Sequence, residues 1–274
     1  MTFRIACIQN TATRDIQANV DWVCARIDEA VAEGVDFIAL PETVGLIEPV
    51  NEQIPASTFS EADDIGLAAF RHRAERHRVM LLVGSQLILE QGKIFNRSFL
   101  LDEQGDILAR YDKLHMFDIE LANGESYRES DAITPGDKAV VVDTRLGRLG
   151  LSICYDLRFG ALYRALAQAG AEMISIPAAF TQTTGKAHWH TLVRARAIET
   201  GCFIIAPNQC GHHLDKRASY GHSLIIDPWG EVLADGGAEA GVIYADIDLA
   251  KVQQVRDRIP ALKNERAFSI ETNQ

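Results

Sequence analysis

Most of the signals that reveal a function at a glance are missing from this sequence. It has no basic excess: 27 Lys and Arg stand against 38 Asp and Glu, a formal net charge of −11. Nucleic-acid binding calls for a basic face, and anionic membrane surfaces attract polybasic segments, so neither partner is expected. No apolar run approaches the roughly 18–20 residues that cross a bilayer. The opening MTFRIACIQN is interrupted by Arg4 and Gln9 and leads into no apolar stretch with a cleavage site, so no secretory signal is expected. The five cysteines, Cys7, Cys24, Cys154, Cys202 and Cys210, are odd in number and contain no CxxC pair. Neither a disulfide framework nor a zinc site is expected, and a reducing cytoplasm fits best. There is no phosphate-binding loop, no dinucleotide fingerprint, and no GxSxG around Ser85. His188 and His190 in AHWH and the adjacent His212 and His213 lack the i, i+4 spacing of a helical metal site, so they read as solvated or capping groups. No metal and no cofactor is expected.

What is present is a chain of 274 residues, 47% hydrophobic and 24% charged, enough to bury a large core. A weakly alternating strand over residues 4–9 precedes Val20, Val23, Ile27, Ala30 and Val31 at helical spacing, with Gly34 as a stop. A short apolar run over 35–40 then ends at Pro41. This is a β-α-β unit, which implies parallel strands. The pattern recurs: helix 61–77, strand 79–89, a hairpin over 96–111, strands 140–143 and 149–155, helix 159–169, strand 172–177, helix 187–200, and strands 202–207, 223–227 and 242–247. Residues 114–138 form a long polar loop, a length that points to a functional or flexible segment. No Gly/Ser linker divides the chain, so one α/β domain over 1–274 is expected, with a helical, then irregular tail from about 249.

Three strand ends carry chemistry. Glu42 follows Leu40-Pro41, Lys113 follows Tyr111-Asp112, and Cys154 follows Ile153 directly before a helix. The C-terminal ends of strands in open α/β sheets line the ligand crevice. Singly each residue is bland: a cysteine in an apolar strand is usually a small core hydrophobe, and a glutamate or lysine at a strand end is usually solvated. Together they would suffice for acyl transfer.

In their order, LPET with Glu42, YDKLHMFD with Lys113 and ICYDLRF with Cys154 resemble the catalytic signature of the carbon-nitrogen hydrolase (nitrilase-like) superfamily, from the first strand to DPWG at 227–230. The resemblance implies a four-layer α-β-β-α sandwich, with Glu42 as general base, Lys113 as oxyanion-stabilising lysine and Cys154 as nucleophile. Glu129, in RESDAITPGD, resembles a second glutamate beside the triad, and the backbone N–H of Tyr155 would be a second oxyanion donor. Within the family, the blocks at 184–200 and 209–230 resemble the deaminated glutathione amidases most, with ω-amidases acting on 2-oxoglutaramate as the alternative. Both imply a small amide bearing a carboxylate. Arg158, close to the nucleophile, is the first candidate to bind that carboxylate and Arg217 the second. A non-catalytic binding member of the fold is the reading from another class, and the intact Glu42, Lys113 and Cys154 oppose it. The family implies a homodimer or higher assembly, for which Ile259, Leu262, Phe268 and Ile270 in the tail offer apolar surface.

Overall fold

The computed structural model describes residues 1–120, 124, 126–214 and 217–272. The expected β-α-β opening is β1 (Thr2–Gln9), α1 (Ile16–Ala32) and β2 (Phe37–Ala39). Asp15 caps α1, its carboxylate accepting from Ala18 N at 3.0 Å. Helix α2 (Ile65–His77) starts in the same way from Asp64, which accepts from Leu67 N at 2.6 Å. Strands β3 (Met80–Glu90), β4 (Lys93–Leu101) and β5 (Ile107–Asp112) complete this half. The loop expected over 114–138 contains a small antiparallel hairpin, β6 (Asp118–Glu120) with β7 (Ser126–Arg128), and its residues 121–123 and 125 lie outside the described residues.

The second half runs β8 (Val140–Thr144), β9 (Gly147–Leu151), α3 (Gly160–Gln168), β10 (Met173–Ser175), α4 (Gln182–Thr200) and β11 (Phe203–Ala206). An antiparallel pair that the sequence did not announce follows, β12 (Cys210–Leu214) and β13 (Arg217–Tyr220). Then come β14 (Leu224–Ile226), β15 (Val232–Asp235), β16 (Gly241–Asp248) and α5 (Ala250–Arg258). Two sheets of six strands result, ordered β16-β1-β2-β3-β4-β5 and β15-β14-β11-β10-β9-β8.

Side-chain parity assigns the layers. On β1, Phe3, Ile5 and Cys7 pack in one core with Leu149, Leu151, Ile174 and Ile204 of the other sheet. Ala6 and Ile8 point the opposite way, into a core with Val23, Ile27 and Phe70 of α1 and α2. Helices α3 and α4 cover the far side of the second sheet through Leu166, Trp189 and Val193. The layers are therefore helix, sheet, sheet, helix, as the resemblance implied. A strand buried on both faces loses its polar alternation, which is why the sequence could not say how the sheets stack.

The β12–β13 pair corrects the reading of His213, which is 5% exposed and not solvated. Its Nδ1–H donates to Ala12 O at 2.8 Å, and its Nε2 accepts from the Ser219 hydroxyl at 2.7 Å. Burial, with the nearby Arg217 charge, takes its pKa from the ordinary 6.5 down to about 4. The folded state thus favours the neutral ring. That stabilisation is complete above pH 6.5 and is lost as the pH falls towards about 4, a difference of about 3 kcal/mol at 1.36 kcal/mol per pH unit. Urea unfolding at pH 7 and at pH 4.5 should show this loss in the native sequence and not in His213→Gln. A gap between the two proteins that does not change with pH would contradict it.

Candidate active site

The crossing of strands and layers brings three chain segments together at one end of the sandwich. Glu42 sits just past β2, Lys113 just past β5, and Cys154 three residues past β9. All three are buried, at 4%, 2% and 7% exposure. Lys113 Nζ donates to Glu42 Oε1 at 2.8 Å and to both oxygens of Glu129 at 2.9 Å. Glu129 opens a 3-10 turn after β7, and its Oε2 also accepts from Phe117 N at 2.6 Å. The hairpin inside the polar loop is thus what carries the second glutamate to the lysine.

Glu42 is met by donors on every side. Its Oε2 accepts from Ala179 N at 2.8 Å, and its Oε1 accepts from Asn96 Nδ2 at 2.9 Å as well as from Lys113. Asn96, on β4, also reaches Glu129 Oε1 at 3.4 Å. Burial pushes the Glu42 carboxyl up, but the Lys113 charge and these hydrogen bonds outweigh it, so its pKa falls below the ordinary glutamate range. Burial alone would discharge Lys113, yet the charges of Glu129 and Glu42 hold its pKa well above the usual lysine value. The Cys154 thiol is buried beside Glu42, and burial together with that carboxylate's charge raises its pKa well above the ordinary thiol range. The resting site therefore holds a carboxylate, an ammonium and a protonated thiol. A thiol held in this way could serve as a nucleophile only by giving its proton to a neighbouring base, because little thiolate waits beforehand.

Cys154 opens a 3-10 turn, Cys154–Arg158, with φ +48°, a left-handed backbone at a non-glycine residue. Asp156, fully buried two residues on, fixes that turn. It accepts from Ile153 N at 2.8 Å, from the Tyr111 hydroxyl at 2.6 Å, and from His115 N and Nδ1 at 3.1 and 2.7 Å. Tyr111 and His115 flank Lys113 by two residues on either side. One carboxylate thus sets the distance between the lysine segment and the cysteine turn. Sequence reasoning missed Asp156 and Asn96. The signal for Asp156 was a carboxylate two residues past the cysteine in ICYDLRF, with a tyrosine and a histidine each two residues from Lys113.

Glu42, Asn96, Lys113, Glu129 and Cys154 line a cavity of about 410 Å³. Of the two arginines expected to meet a substrate carboxylate, only Arg217 lines it. Its guanidinium lies 5.6 Å over the Tyr127 ring, and its buried Nε has no hydrogen-bond partner among the described residues. Arg158 is not among the described residues that line the cavity. It stacks over Tyr155 and Phe180 at 5.7 and 5.5 Å, with Nη2 3.4 Å from His188 Nδ1. The Tyr155 N–H follows the thiol in the 3-10 turn.

The carbon-nitrogen hydrolase family pattern matches residues 4–257. A deaminated glutathione amidase of Synechocystis sp. is 39% identical over 265 residues, covering 94% of this chain and 96% of that protein. The human omega-amidase NIT2 is 33% identical over 272 residues, covering 97% and 96%. The crystal structure of the C. elegans NitFhit protein superposes with a TM-score of 0.91 at 35% identity, covering 97% of this chain, which spans 65% of that longer protein. A glutamate-to-glutamine mutant of the amidase from Nesterenkonia sp. AN1, 26% identical with a TM-score of 0.81 over 96% of this chain and 94% of that one, carries the acetamide moiety of fluoroacetamide on its active-site cysteine.

Proposed function

Because this chain belongs to the carbon-nitrogen hydrolase family, and is a hydrolase of non-peptide carbon-nitrogen bonds, we propose that it cleaves deaminated glutathione through a thioester on Cys154. The observation that carries the mechanism is the Lys113 ammonium clamped between Glu42 and Glu129, in the same cavity as the buried Cys154 thiol. Cys154 Sγ attacks the amide carbon while its proton passes to Glu42. The oxyanion accepts from Lys113 Nζ and the Tyr155 N–H; one such donor is typically worth about 2.7–4 kcal/mol. Glu42 gives the proton to the departing nitrogen, the C–N bond breaks, and cysteinylglycine leaves. Glu42 then takes a proton from water, which attacks the thioester, releasing 2-oxoglutarate and restoring the thiol.

Two features support the larger substrate over 2-oxoglutaramate. The 410 Å³ cavity lies in the range of about 300–1,000 Å³ that encloses ligands of this size, and a smaller amide would leave much of it to water. The buried Nε of Arg217, without a hydrogen-bond partner among the described residues, supports an anionic group bound beside it. We expect kcat/KM for deaminated glutathione to exceed that for 2-oxoglutaramate at least tenfold. Arg217→Gln should lower it by about 10–100-fold, the scale of a lost charge-assisted hydrogen bond. A tenfold preference for the smaller amide would move the chain to the omega-amidases.

The same reading places the enzyme in a reducing cytoplasm, where its five unpaired cysteines persist. It also takes the exposed Phe268 and Ile270 of the tail as a contact for a second copy.

A further inference from the structure

Local spacing argued against a metal site in AHWH, but the fold brings distant residues to His190. It projects from α4 beside His222, in the turn between β13 and β14, and Asp235, at the end of β15. His190 Nε2 lies 3.0 Å from Asp235 Oδ2, and His222 Nδ1 lies 2.8 Å from Asp235 Oδ1. One nitrogen from each ring and one carboxylate oxygen all lie within 4.8 Å of one another. We propose that His190, His222 and Asp235 form a binding site for a divalent transition metal of the zinc class, separate from the catalytic cavity.

The donor set is the one such ions take. Two imidazoles and a carboxylate with one open position match the His₂-carboxylate sites of zinc, at about 2.0–2.2 Å per bond. Tetrahedral bonds of that length put donors about 3.4 Å apart, so small side-chain rotations suffice here. The three side chains are 36%, 26% and 34% exposed, which leaves water access to the fourth position. One carboxylate beside two neutral rings also leaves the divalent charge only partly balanced, which suits a cation that keeps a water ligand.

The frame is rigid before any ion arrives. His222 is held at both ends of its peptide unit: its N–H donates to Gly237 O at 2.6 Å, and its carbonyl accepts from the buried Trp189 indole at 2.7 Å. Its backbone is left-handed, with φ +54°, and the Tyr220 ring stacks on its imidazole at 4.5 Å. Asp235 Oδ1 accepts further from Gly237 N at 2.9 Å. An ion would add bonds without ordering a loop. None of the three residues lines the cavity that holds Cys154. The elements they join do border it: Thr184 of α4 is in its wall, and Tyr220 N donates to Phe180 O at 2.8 Å. A bound ion braces α4 against the β13–β14 turn, outside the reacting atoms.

The full-length protein, stripped with chelator and dialysed, is titrated with Co²⁺ and then with Zn²⁺. We expect one equivalent of Co²⁺ with visible ligand-field absorption and no sulfur-to-cobalt charge-transfer band, displaced by Zn²⁺ and raising the melting temperature. His222→Asn, which tolerates the left-handed backbone, and His190→Gln on the helix surface should each weaken Zn²⁺ binding by at least the 10–100-fold lost with an outer-shell partner. Both should keep the metal-free melting temperature and kcat. A charge-transfer band would assign the metal to a cysteine and overturn the site. So would non-saturating binding, or a Zn²⁺ affinity in both variants equal to that of the unsubstituted protein.

Discussion

Replacing Cys154 by alanine is expected to lower kcat by about a million-fold, the scale of a hydrolase that loses its nucleophile, while the chain stays folded. The side chain is small, and its backbone N–H still donates to Pro177 O at 2.9 Å. A second substitution separates chemistry from stability. The left-handed backbone at Cys154 (φ +48°) costs a side-chain-bearing residue about 1–2 kcal/mol, and glycine escapes that cost in part. Cys154→Gly should therefore be as inactive as Cys154→Ala yet melt about 2 °C higher, the shift expected of roughly 1 kcal/mol in a chain of this size. Thermal melts of the two variants decide it; an alanine variant that melts at the higher temperature would remove strain from the account of the site.

Glu42→Gln is expected to cost about 10⁴-fold in kcat/KM, the upper end of general acid-base contributions. The amide cannot take the thiol proton, and that thiol is held protonated in the resting site. The substitution also has a structural cost. Among the described residues, the Glu42 carboxylate accepts from three donors: Lys113 Nζ, Asn96 Nδ2 and Ala179 N. Either orientation of a glutamine sets its NH₂ against one of them, so stability should fall by about 1–3 kcal/mol. Glu129 still pairs Lys113, so the charge there survives. Activity within tenfold of the native enzyme, measured alongside a denaturant titration, would remove Glu42 from the proton path.

What the sequence disclosed follows from what is local. The β1-α1-β2 unit was legible because Val20, Val23, Ile27 and Ala30 all bury on one face of α1. The first turns of α4 escaped notice because Thr183, Thr184 and Gly185 there are weak helix formers; the Thr181 side chain accepting from Thr184 N is what starts it. The β6–β7 and β12–β13 pairs are too short and too polar for a period of two to register. In the site, Glu42, Lys113, Glu129 and Cys154 could be named only through resemblance, since each alone has an ordinary surface or core reading. Asn96 and Asp156 were not named, because their partners Glu42 and Tyr111 are 54 and 45 residues away. Nearness to the nucleophile along the chain favours Arg158 in sequence, whereas the arginines that line the cavity are Arg128 of β7 and Arg217 of β13.

The central claim is a 2-oxoglutaryl thioester on Cys154. Its most direct test is rapid mixing with deaminated glutathione, acid quenching within the first turnovers, digestion and mass spectrometry of the peptides. The account predicts a mass increase equal to 2-oxoglutarate less water, located on Cys154 and absent from Cys154→Ala. An acyl group on any other residue would contradict it, as would steady turnover that leaves the Cys154 peptide unmodified at every quench time.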